Sequence, residues 1–471
     1  MKKYEKLAEE IAESIRTGVL RKGDKLPSVR QASASHAVNA STVFEAYYLL
    51  EARGLITVKE RSGYYVSGGS SSLPELAPHP AAHPQLTPVD VSELVFDILG
   101  ATRNRTVVPL GSAFPSPLLF PLKKLGRTMA SIAQHMDPWS SVRDLSPGDE
   151  DLRRQIAVRY MIDGFSVPTD DIVITNGALE ALNLCLAAVS KPGDSILIEC
   201  PTFYAALQAI ERHGLNAIEI PSHPKTGVNL DAMAAALEQH KPAACWLMTN
   251  FQNPLGSLMP EDKKQALVDL LRRHQIPLIE DDVYGELYFG QQRPKPAKAF
   301  DTEGLVMHCS SFSKCLAPGY RVGWVAAGRY ARTIERIKLT TTLAAPAPVQ
   351  QTLAAYLAMG GYDRHLRSLR HTLLMQQIRF IETIEQVFPA GTQLTRPAGG
   401  YFLWLKLPEG TDALALHQHC LELGISIAPG PMFSAQRQFT EYIRLNYGHE
   451  WSDDIEQALH TVARLIPEHR R

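Results

Sequence analysis

The residues of this chain best suited to chemistry lie in one stretch, Ser310-Ser311-Phe312-Ser313-Lys314, followed by Pro318-Gly319-Tyr320-Arg321-Val322-Gly323. A lysine that forms a Schiff base with an aldehyde cofactor needs a desolvated site and partners that hold the cofactor in place. Hydroxyls precede Lys314 and an arginine follows seven residues later, so Ser311 and Arg321 supply a phosphate clamp around a candidate nucleophile.

The surrounding elements must position that lysine. From about residue 91 short apolar runs alternate with helical patterns. Expected strands are Ile172-Val173-Ile174-Thr175, Ser195-Ile196-Leu197-Ile198, Cys245-Trp246-Leu247-Met248, Pro277-Leu278-Ile279 and Leu305-Val306-Met307, with helices over 178–189, 202–213 and 261–274 between them. Such alternation predicts a parallel sheet covered by helices on both faces, an α/β architecture. In open sheets of this kind ligands bind beyond the carboxyl ends of the strands, and the informative residues fall there. Asn176-Gly177-Ala178 follows the first strand and opens a helix, whose free N–H groups suit a phosphate. Phe203, or its neighbour Tyr204, follows the second strand and offers a ring for stacking. Asn253-Pro254 follows the third, and Asp281 and Tyr284 follow the fourth. After residue 330 a long helical stretch leads into a mixed segment, 391–447, with Tyr401-Phe402-Leu403-Trp404-Leu405 and Tyr442-Ile443-Arg444-Leu445 as strands of a smaller second lobe.

The lysine motif and this ordered set of residues resemble the fold-type I, pyridoxal-phosphate-dependent aminotransferases over about residues 105–465. The resemblance implies that Lys314 bears pyridoxal 5'-phosphate and that Asp281 keeps its pyridine nitrogen protonated, so that the ring acts as an electron sink. Asn253 would bond the ring hydroxyl, with Tyr284 nearby, and Gly177, Ala178, Ser311 and Arg321 would hold the phosphate. Arg444, in Ile443-Arg444-Leu445-Asn446, matches the family arginine whose planar fork grips a substrate carboxylate. One departure stands out. Many relatives carry a tyrosine just ahead of the position of Gly148 that reaches the partner subunit's phosphate, whereas this chain has Arg143-Asp144-Leu145-Ser146-Pro147. Either Arg143 takes its place or the shared contact is weaker.

The first 67 residues read differently. Leu7, Ile11 and Ile15 recur every four residues and predict a helix over about 4–17. Ser28 with Gln31 has capping-box spacing at the start of a second helix. Asn39 caps a third, which places Val43, Tyr47 and Leu50 on one face. Leu55-Ile56-Thr57-Val58 and Tyr64-Tyr65-Val66 are short strands around a Lys59–Gly63 turn. Three helices and a ribbon make a winged helix-turn-helix. The runs Lys25-Leu26-Pro27-Ser28-Val29-Arg30 and Arg61-Ser62-Gly63-Tyr64-Tyr65-Val66 closely resemble the GntR-type domain of bacterial regulators. The third helix would then enter the major groove of a double-stranded DNA operator. Ser41, Thr42 and Tyr47 would contact bases or phosphates, and Arg30, Arg53 and Arg61 would clamp phosphates. Ala40 stands where the family often has arginine, which removes a favoured guanine or phosphate contact.

Residues 68–90 contain Gly68-Gly69, Ser70-Ser71-Ser72 and Pro74, Pro78, Pro80, Pro84 and Pro88, the composition of an interdomain linker, flexible first and stiffer later. At 471 residues, 45% hydrophobic and 21% charged, the chain is that of an ordinary globular protein of more than one domain. Its net charge of −1 exerts no overall pull on nucleic acid or membrane. Residues 1–67 carry eleven Lys/Arg against eight Asp/Glu, a balance of +3, which leaves −4 for the rest. Cys185, Cys200, Cys245, Cys309, Cys315 and Cys420 are scattered without metal-like spacing, so reduced thiols and no metal site are expected. The start Met1-Lys2-Lys3-Tyr4-Glu5 lacks the apolar run of a signal peptide, and no stretch approaches the ~20 apolar residues of a membrane span. A cytoplasmic protein is expected.

Taken together, a winged helix (1–67), a linker (68–90) and an aminotransferase-like body (91–471) resemble the MocR group of bacterial regulators. The resemblance implies a homodimeric transcriptional regulator that senses pyridoxal phosphate, or its adduct with an amino acid or amine, and controls DNA binding. The rival expectation is a working aminotransferase that carries a DNA-binding domain.

Overall fold

The computed structural model describes residues 3–17, 19–21, 23–52, 55–59, 63–66, 73–78, 84–101, 107–140 and 145–470. Helices Lys3–Arg16, Val29–Ser35 and Ala40–Ala52 precede two antiparallel strands, Ile56–Lys59 and Gly63–Val66. Ser28 and Gln31 form the expected reciprocal cap. Leu7, Leu26, Val43, Leu50 and Ile56 close a small core of their own. A winged helix-turn-helix with this core meets the sequence expectation.

The linker does not behave as its composition suggests. Leu73 and Leu76 are buried in the core of the large body. Leu76 N–H bonds Leu394 O (3.0 Å) and Leu394 N–H bonds Pro74 O (3.3 Å), so this stretch runs beside a strand of the small lobe. Lys225 holds Glu75 at 2.7 Å. Further on, Leu86–Pro88 pairs antiparallel with the outer strand of the large sheet. Proline-rich chain is already extended, and an edge strand tolerates the missing donors. Part of the expected linker is therefore sheet. Gly68-Gly69 and Ser70-Ser71-Ser72 lie outside the described residues.

In the large sheet, Asn216–His223, Ser195–Cys200, Ala244–Leu247, Leu278–Asp281 and Val306–Ser311 run parallel in that order. The sheet is mixed rather than wholly parallel. Gly323–Ala326, a strand absent from the sequence reading, lies antiparallel to both Val306–Ser311 and Ile172–Thr175. Val306–Ser311 is buried at every position, as a strand covered on both faces must be. The small lobe is an antiparallel sheet ordered Gln393–Leu394, Phe402–Lys406, Tyr442–Asn446, Ala428–Pro429.

The long helix Gly361–Val387 touches both halves of the molecule. On one side the Tyr48 ring, from the third helix of the winged domain, stacks on His371 with centroids 6.4 Å apart and planes at 21°. On the other, Gln377 donates to Pro397 O (2.9 Å) and Tyr447 Oη (3.1 Å), and Arg370 donates to Glu286 O (2.7 Å). No helix among the described residues is long and apolar enough to cross a membrane.

Candidate functional site

Beyond the carboxyl ends of the parallel strands lies a cavity of about 250 Å3, lined by Lys314, Asp281, Tyr284, Phe203, Ser311 and Arg321 among others. Lys314 enters it from the turn after Val306–Ser311. Its Nζ donates to Ala113 O (2.8 Å) and sits 3.7 Å from the centre of the Phe114 ring. Burial foremost, with repulsion from Arg444 and Arg321, outweighs the attraction of Asp281 and holds the amine down at about 7. That is a lysine poised to be uncharged near neutral pH.

Asp281 closes the strand Leu278–Asp281. Its Oδ1 is buried and has no hydrogen-bond partner among the described residues, and burial pushes the carboxyl up to about 7. An orphaned buried acceptor calls for a donor. The next residue has the opposite fate. Burial alone would raise Asp282, but Arg293 (2.6 Å), His308 (3.0 Å) and Asn250 (3.0 Å) pull it down to about 2. Two adjacent carboxyls are thus tuned apart, and only Asp281 faces the cavity.

At one end of the cavity, Gly177 opens the helix Ala178–Val189 with φ +87° and no side chain caps that terminus. A Cβ on Gly177 would stand 2.5 Å from Arg321 Nη2, so glycine lets the guanidinium lie against the helix end. Arg321 donates to Ser313 Oγ (3.1 Å) and Asn176 O (3.4 Å). Asn176 N–H itself is taken by Glu180 (2.5 Å), which leaves the amides beyond it for a ligand. Behind the wall residue Tyr284, Asn253 Nδ2 donates to Tyr284 Oη (3.4 Å). Phe203 and Tyr204 both line the wall, ring centroids 4.7 Å apart.

Arg444 adjoins this pocket through Asn253. It is 1% exposed, donates to Asn253 Oδ1 (2.9 Å), Gly111 O (2.8 Å) and Ser112 O (3.2 Å), and leaves Nε without a partner. Phe402 and Phe433 flank it at 4.1 and 5.2 Å. No carboxylate among the described residues pairs with it. A buried cation held by neutral groups alone is costly, and a bound carboxylate would relieve it.

Three contributors escaped the sequence reading. Ser313 had a signal, since it immediately precedes Lys314. Ala113 and Phe114 had none: they reach the lysine from 200 residues away. The buried group around Asp282 also needed the fold, because His308 and Arg293 come from separate segments.

The residues expected to meet DNA stand apart, on the winged domain. Arg30 and Ser41 are exposed and Thr42 half-buried. Tyr47 is a correction. It is fully buried, and its hydroxyl donates to Pro27 O (2.7 Å), which makes it a core residue joining the third helix to the turn before the second. Its place on the apolar face with Val43 and Leu50 already implied burial. Arg53 and Arg61, and also Arg143, lie outside the described residues.

Comparison with known proteins agrees with this division. The family of bacterial regulatory proteins called gntR matches residues 3–66, and aminotransferase class I and II matches residues 145–462. The HTH-type transcriptional regulator YdcR of Escherichia coli is 45% identical over 99% of this chain and 100% of its own length. Aromatic-amino-acid aminotransferase 1 of Thermococcus litoralis is 30% identical, covering 79% of this chain and 91% of that protein. The crystal structure of the multiple substrate aminotransferase of Thermococcus profundus superposes with a TM-score of 0.74 at 28% identity, over 81% of this chain and 96% of that one.

Proposed function

Because the chain belongs to the aminotransferase class I and II family and carries a gntR-type DNA-binding domain, the MocR-type combination, we propose that it is a transcriptional regulator whose aminotransferase-like body binds pyridoxal phosphate. The residues present suit that cofactor. Asp281 Oδ1 is a buried acceptor without a donor, Gly177 makes room for Arg321 at an uncapped helix end, and Lys314 is a buried amine with a depressed pKa. When bound, pyridoxal phosphate supplies an electrophilic aldehyde carbon and an electron-withdrawing ring. Lys314 contributes the uncharged amine. Asp281 would accept from the ring nitrogen and keep a proton there, while Asn253 and Tyr284 would hold the ring oxygen. Ser311, Arg321 and the amides after Gly177 would hold the phosphate. Arg444 would bind the carboxylate of an amino-acid effector, exchanging backbone carbonyls for a charged partner.

The observation that carries regulation is the helix Gly361–Val387. It meets the third helix of the winged domain through His371 and, through Arg370, bonds the carbonyl of Glu286, two residues beyond Tyr284 of the pocket wall. An effector that favours one arrangement of the two lobes would bias this helix, and with it the winged domain. A homodimer and a double-stranded operator complete the proposal. The second reading, catalysis, is favoured by Arg444, since a carboxylate-gripping arginine beside Lys314 and Asp281 is the set a half-transamination needs.

The test is the visible absorption of the cofactor-loaded, full-length protein, titrated with amino acids and amines and run beside operator binding. A stable spectral change for one compound that also alters DNA affinity supports the sensor. Bleaching of the aldehyde form with turnover, and no change in DNA affinity, replaces it with the enzyme. A DNA response to pyridoxal phosphate alone restricts sensing to the cofactor.

A further inference from the structure

A second, larger cavity of about 410 Å3 lies between the winged domain and the body, away from the Lys314 pocket. Tyr48 of the recognition helix forms part of its wall, and Arg367, Arg370 and His371 of the helix Gly361–Val387 form another. Its size is that of a pocket for a small metabolite. Its charge is uneven. Four guanidiniums, of Arg159, Arg293, Arg367 and Arg370, line it with three carboxylates, of Asp163, Glu286 and Asp363, and Asp282 just behind the wall pairs with Arg293 at 2.6 Å, so the acids match the guanidiniums in number (4 − 4 = 0) but not in position.

The carboxylates are already committed. Asp363 accepts from Arg159 at 2.6 Å, Glu286 lies 3.4 Å from Arg159 and 3.3 Å from Arg370, and Asp163 lies 3.4 Å from Arg293. Arg367 has no carboxylate partner among the described residues. Deeper in, the Arg293 side chain is only 8% exposed, yet Nη1 and Nε make no hydrogen bond; its one bond runs from Nη2 to Asp282 (2.6 Å). Arg159 Nε is likewise buried without a partner. The wall therefore holds unsatisfied guanidinium donors on Arg293 and Arg159 and, in Arg367, a cation without an acid partner among the described residues, while the acids are engaged elsewhere.

We propose that this cavity is a binding site for a small oxyanion, a phosphate- or carboxylate-bearing metabolite, held between Arg367 and Arg370 of the body and Tyr48 of the recognition helix. Guanidinium forks suit both kinds of oxyanion. The inference does not depend on what occupies the Lys314 pocket. It makes the junction between DNA-binding domain and body a second point at which a ligand acts.

The experiment is calorimetric titration of the full-length, cofactor-loaded protein in phosphate-free buffer, with inorganic phosphate and, separately, succinate. One site per chain is expected, with the tighter probe identifying the oxyanion. Arg367 is exposed and holds no partner in place, so Arg367→Ala leaves the fold intact; it should weaken binding about ten-fold, as the loss of one charge-assisted hydrogen bond does. Arg367→Lys should recover part of the loss. The proposal is overturned if neither probe binds at tens of millimolar. It is equally overturned if Arg367→Ala changes nothing, or if Arg321→Ala abolishes binding, which would assign the anion to the other pocket.

Discussion

If Lys314 bears pyridoxal phosphate as proposed, its depressed pKa sets how fast the cofactor attaches. The perturbation is pH, applied to cofactor-free protein. Only the uncharged amine attacks an aldehyde. With its pKa held at about 7 by burial and by Arg444 and Arg321, Lys314 at pH 8 is ~90% uncharged, whereas an ordinary lysine at 10.5 would be ~0.3% uncharged, a difference of roughly 300-fold in reactive amine. Attachment, followed in a stopped-flow instrument by visible absorbance, should be nearly flat above pH 8 and fall about ten-fold per pH below 6. Arg444→Gln removes a repelling charge and should move the inflection upward. A wild-type inflection near 10, or none between 6 and 8, would refute the reasoning. The same group affects stability with a definite sign. The unfolded chain keeps its proton to about 10.5 and the folded lysine only to about 7, so its contribution makes the cofactor-free protein more stable as pH rises through that window.

Three further outcomes are expected. Gly177→Ala drives a methyl to within 2.5 Å of Arg321 Nη2 at φ +87°; equilibrium dialysis should show at least a ten-fold loss of pyridoxal phosphate affinity while the winged domain still binds DNA. Tyr47→Phe removes the bond to Pro27 O, so calorimetry should show the winged domain losing about 1 kcal/mol, with operator affinity near unchanged below the melt. Leu76→Ala hollows the seat of the linker on the small lobe, at a cost of about 2–5 kcal/mol for a buried leucine, and limited proteolysis should then cut near residues 73–78 faster than in the wild type.

Much of this was legible in the sequence, and for identifiable reasons. The lysine motif, Asp281 and Gly177 fall at or just beyond the ends of strands that their apolar runs mark out. The winged helix shows in its caps and its apolar repeat. What stayed hidden depended on contacts distant in sequence. Gly323–Ala326 is short and flanked by glycine, so its antiparallel insertion beside Ile172–Thr175 left no pattern. Proline spacing in the linker reads equally as free chain and as edge strand, and only the exposed edge at Asn216–Ile218 decides. Tyr47 lies on the helix expected to meet DNA, but it shares the apolar face with Val43 and Leu50, and all three are buried. The carbonyl of Ala113 beside Lys314 could be found only in three dimensions.

The seating of Leu73 and Leu76 shortens the leash on the DNA-binding domain. From Val66, the last residue of the wing, to Leu73 is seven residues, a reach of at most about 25 Å even when fully extended. A domain confined to so small a sphere meets the body at an effective concentration on the order of 10 mM. A contact as slight as Tyr48 on His371 can then stay closed most of the time with only millimolar intrinsic affinity, and an operator or a small ligand need contribute only a few kcal/mol to open or lock it.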